Sequence, residues 1–99
     1  MRQFTTPEQT AKLVELGFEK PKMAAPALKW VDGEPTFVPQ YTIGELIEML
    51  PKSYDSEGLV IGRHYIADVW IVRYPTKILI HKEELIDALY DMVVKLKEE

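Results

Sequence analysis

Apolar and polar positions along this chain change period several times, and the clearest period comes last. Leu85, Ile86, Leu89, Met92, Val93 and Leu96 recur at helical spacing against Glu83, Glu84, Asp87, Asp91, Lys95 and Lys97, which predicts an amphipathic helix over 82–97. Acids open that stretch and lysines close it, as the helix dipole favours. Upstream the period falls to two. Trp70, Val72 and Tyr74 alternate with Val69, Ile71 and Arg73, and bulky groups on both faces predict a central strand. That strand is expected to start at 65, preceded by a short strand at 59–61 and a bulge or bend at Gly62. Residues 74–77 turn the chain into a further strand at Ile78, Leu79 and Ile80.

Punctuation residues predict the rest. Thr6-Pro7-Glu8-Gln9 opens a helix to about Leu16, with Thr6 as cap, Pro7 where a missing N–H is harmless, Gln9 completing a capping box, and Gly17 as terminator. Residues 19–26 read as an irregular connector. Asp32-Gly33 between 27–31 and 36–39 predicts a hairpin, with Pro35 and Pro39 forcing its second arm to an edge. Thr42-Ile43-Gly44-Glu45 repeats the capping box before Ile43, Leu46, Ile47 and Leu50, and Pro51 stops that helix. Residues 52–58 read as a mobile polar loop. The expected fold class is α+β: one domain over 1–99, with a small, mainly antiparallel sheet of three to five strands packed with about three helices.

Composition narrows the classes. At 99 residues the chain suits one small core. Its net charge of −4 is spread evenly, with five Lys/Arg and seven Asp/Glu in the first fifty residues and seven and nine in the rest. Neither half is a basic arm. With no cysteine there is no disulfide, thiol nucleophile or thiolate metal site. Without a signal-like start or an eighteen-residue apolar run, the expectation is a cytoplasmic protein with no membrane partner.

Chemistry is harder to find. His64 and Asp68 share a parity on the expected strand, but a metal site needs three or four ligands, so they read as an exposed strand pair. His81 reads as a capping or surface residue near Trp70. Glu45, Glu48, Glu83, Glu84, Asp87 and Asp91 fall on solvated helix faces rather than in the contrasting environments that acid–base work requires. The glycines are scattered singly, so no phosphate loop or nucleophile elbow is present. No catalytic residue, metal ligand or cofactor is assigned. Arg63, Arg73, Lys77 and Lys82 with Tyr65, Trp70 and Tyr74 suggest a single-strand-binding face, against which the acidic composition weighs.

The stronger lead is a set of aromatics near the expected loops, Trp30, Phe37, Tyr41 and Tyr54, assigned as an interaction surface because Tyr and Trp supply contact area with few rotors. Phe4-Thr5-Thr6-Pro7-Glu8-Gln9, Tyr41-Thr42-Ile43-Gly44-Glu45-Leu46-Ile47-Glu48-Met49-Leu50-Pro51 and Glu84-Leu85-Ile86-Asp87-Ala88-Leu89 follow one another in an order that resembles a group of small proteins from phages, prophages and related mobile elements of gut anaerobes. That group carries no assigned activity, so the resemblance implies an accessory protein and no catalytic residue. The expected function is a noncatalytic protein-interaction or accessory role, with an unidentified protein partner or a homodimer. The alternatives are a small enzyme with an unrecognised polar pocket and a weak single-stranded nucleic-acid binder.

Overall fold

The computed structural model describes residues 2–21, 24–64 and 66–98; the side chains of 24–31 and 35–39 lie outside that description. It is an α+β fold. In chain order the elements are α1 (Pro7–Glu15), β1 (Ala24–Val31), β2 (Glu34–Pro39), α2 (Ile43–Met49), β3 (Ser53–Tyr54), β4 (Glu57–Gly58), β5 (Val60–His64), β6 (Val69–Tyr74), β7 (Ile78–Lys82) and α3 (Leu85–Glu98). Among the described residues the strands form three separate antiparallel units, the hairpins β1-β2 and β3-β4 and the sheet β5-β6-β7, rather than one continuous sheet.

Both capping boxes form. Thr6 accepts from the Gln9 backbone N–H while the Gln9 side chain accepts from Thr6, and Thr42 and Glu45 do the same for α2. α1 ends in a full Schellman motif: Gly17, at φ 102°, donates to the Val14 carbonyl and Phe18 donates to that of Leu13. The chain therefore folds back, and Phe18 packs against the core instead of continuing outward. The segment before α1 is tied to the entry of α2, since Thr5 and Tyr41 exchange two 3.0 Å hydrogen bonds and Phe4 bridges Thr42.

Asp32 and Gly33 both hold positive φ, 51° and 80°, as a two-residue primed turn demands. Val31 and Glu34 then close the turn as a hydrogen-bonded pair, so Pro35, opposite Trp30, falls where the backbone nitrogen faces away from the partner strand. That parity is why a proline is tolerated there.

β6 is the central strand of its sheet, as its two apolar faces required. Its start differs from the expectation. Residues 66–68 are a turn, Asp68 has φ 53° and donates to the His64 carbonyl, and β5 pairs with β6 as a regular hairpin. Gly62 is an ordinary ladder residue opposite Ile71, not a bulge. Across the other edge His81 pairs with Ile71 and Lys82 with Trp70, one step from the expected register. Because Lys82 is still strand, α3 starts at Leu85, three residues later than its charge pattern suggests.

α3 lies between α2 and the β6-β7 face. Leu85, Ile86, Ala88, Leu89, Met92 and Val93 are buried on it, opposite Val72, Tyr74 and Ile78 of the sheet and Leu46 and Leu50 at α2. A helix sandwiched in this way buries more than one stripe, which is why Ala88 joins the expected set. Its smallness suits a close approach.

Candidate functional site

Three segments of the chain meet beside the C-terminal half of α3. The Schellman turn delivers Phe18, the last turn of α2 delivers Met49, Leu50 and Pro51, and the β3-β4 hairpin delivers Tyr54. With Val93, Leu96 and Lys97 of α3 they line a mainly apolar groove of about 330 Å³. Phe18, Met49, Tyr54 and Leu96 are each only partly buried against the core, so their outer surfaces remain available. The Lys97 ammonium stands 5.5 Å from the centre of the Phe18 ring, within the range of a cation–π contact.

The groove wall is held by directed contacts. Tyr54 lies against Tyr74, with ring centroids 5.6 Å apart and planes at 52°, a tilted arrangement that aromatic quadrupoles favour. The Tyr74 hydroxyl donates to the Pro51 carbonyl at 2.6 Å, which fastens the end of α2 to the sheet. Within 52–58, expected as a mobile polar loop, residues 53–58 form the β3-β4 hairpin. Asp55 and Ser56 both take positive φ, 50° and 69°. Lys77 reaches Asp55 at 2.9 Å, and Thr76 donates its hydroxyl and its backbone N–H to the Glu57 carboxylate. Those hydrogen bonds, the hydroxyl's first, hold the Glu57 carboxyl below the usual range, and Asp55 pushes the Lys77 ammonium up.

A second hollow of about 230 Å³ adjoins the first and shares Phe18 and Met49 with it. Glu19, Lys20, Glu45 and Glu48 give it an acidic character, and Tyr41 lines its inner side. Burial, and then the charges of Glu45 and Glu19, raise the Tyr41 phenol above its ordinary value.

The structure redistributes the four aromatics expected to form one surface. Tyr54 is at the groove. Tyr41 is corrected to the core: it is 1% exposed, drawn under the N-terminal segment by its backbone bonds to Thr5, and its hydroxyl donates to the Glu19 carbonyl. The side chains of Trp30 and Phe37 lie outside the described residues. Phe18, Met49, Pro51 and Leu96 were absent from the expected surface. Phe18 did carry a signal, as an apolar residue directly after the helix terminator Gly17, and Met49 carried one as an apolar residue in the last turn before Pro51.

The chemical candidates disperse. Asp68, in its turn, pairs with Arg63, while His64 Nδ1 accepts from the Ala67 N–H at 3.0 Å, so these two are not an exposed strand pair. Of the expected nucleic-acid face, Tyr74 is buried, Arg63 stands over Trp70, and Arg63, Lys77 and Lys82 each pair with a carboxylate. Tyr65 lies outside the described residues. Arg63, Asp68, Trp70, Glu83 and Glu84 border a separate polar hollow of about 400 Å³.

No family model, curated relative or solved structure matches this chain. Among the described residues no helix is long and apolar enough to cross a membrane.

Proposed function

We propose that this protein is a noncatalytic protein-binding module, an accessory protein of phage or mobile-element type acting in the cytoplasm, and that it binds through the groove at Phe18, Met49, Pro51, Tyr54 and Leu96. The carrying observation is the groove itself. It is a concave apolar surface built on two helix ends and a pinned hairpin, with partly exposed aromatic and Met side chains and a lysine at its lip. Aromatic and Met side chains in a concave, preformed site are what protein interfaces concentrate at their centres. Met adapts its shape to a partner, and Tyr adds a polar tip to a large apolar body.

The second reading, a small enzyme, draws on the polar hollow beside Trp70, where Glu83 and Glu84 stand near the Arg63–Asp68 ion pair. Site-specific photo-crosslinking separates the two readings. A Tyr54→p-benzoylphenylalanine protein, expressed in its native cells, is expected to form discrete protein adducts. The same group at Leu79, 50% exposed on the far side of the sheet, is expected to form few. Equal labelling from both positions, or none from 54, overturns the groove as the binding surface.

A further inference from the structure

We infer that the groove's occupant is a second copy of this chain, joined about a two-fold axis; this rests on the reading of the groove as a protein-binding surface. Phe18 and Met49 belong to both hollows and form the ridge between them. On one side of that ridge lies the apolar hollow with Lys97 at its lip. On the other lies the hollow that bears, among the described residues, Glu19, Glu45 and Glu48 against Lys20.

Opposite charge on the two flanks of one apolar ridge is what a self-complementary patch requires. In an isologous contact each element meets the element that the two-fold exchanges with it. With the axis running along the ridge, Phe18 and Met49 from both copies pack together at the centre. The Lys97 lip of each copy then faces the acidic hollow of the other. The result has an apolar middle and two charged flanks, the usual anatomy of an interface. With the ridge on itself and no rotation exchanging the flanks, like charges would face each other, which electrostatic complementarity disfavours.

Sedimentation analysis of the full chain tests this. The wild type is expected to show a reversible monomer–dimer equilibrium that weakens as salt is raised. Glu48→Lys and Lys97→Glu, both on exposed side chains, are each expected to weaken dimerisation about tenfold or more by placing like charges face to face twice per dimer. An equimolar mixture of the two variants is expected to restore it, because the heterodimer has opposite charges on both flanks. A wild type that stays monomeric throughout, or a dimer indifferent to both variants, overturns the second copy as occupant. If such a monomer still forms discrete adducts from position 54, the groove stands with another partner; if position 54 is silent as well, the groove reading falls too.

Discussion

Thr76 directs two donors at one carboxylate, and Glu57 answers with a lowered pKa. A carboxyl that loses its proton more easily in the folded than in the unfolded chain adds stability above the ordinary carboxylate range, and that contribution disappears as pH falls through the folded value. Glu57 is half-buried on β4 at the protein surface, and the effect is best read at the residue. In Thr76→Val the hydroxyl donor is lost while the backbone N–H stays. A carboxyl-carbon NMR titration should then show the Glu57 pKa moving up, part of the way back to its usual value. An unchanged titration would mean that the hydrogen bond does not form in solution. The Tyr41 correction belongs to the same scale. An aromatic before a helix cap reads equally as core or surface until its backbone partner is known, and that partner, Thr5, lies 36 positions away in the sequence.

Elements were legible where local rules decide them. Thr6, Pro7, Gln9 and Gly17 define α1 to within a residue at each end, because caps and the Schellman turn use only neighbouring atoms. The β3-β4 hairpin was missed because neither residue of its turn is glycine. Asp55 and Ser56 occupy the left-handed region, which costs an L-residue roughly 1–2 kcal/mol, and the contacts from Thr76 and Lys77 hold them there. Ser56→Gly should therefore stabilise the protein by about 0.5–1 kcal/mol, after the greater backbone entropy glycine loses on folding, as read from urea denaturation. Destabilisation would show that Ser56 contributes something beyond its backbone. The start of β6 was misread for a related reason: Asp68 at positive φ closes a turn that alternation alone continues straight through.

At the scale of the molecule, α3 was legible as an anchor and the groove was not. The stripe on α3 needs a surface on each side, and the sheet and α2 provide them. The groove depends on Phe18, Met49, Tyr54 and Leu96 arriving together from four parts of the chain, which no single window of sequence records. Two methionines make this place directly observable. Met49 is partly exposed at the groove ridge and Met92 is fully buried on α3, so one reports binding and the other reports folding. The most direct measurement is a methyl spectrum of methionine-labelled protein, taken dilute, then concentrated, then in a lysate of its native cells. Binding at the groove predicts that the Met49 signal shifts or broadens in at least one of the last two conditions while Met92 holds its position. A Met49 signal that stays sharp and unmoved in both would contradict it.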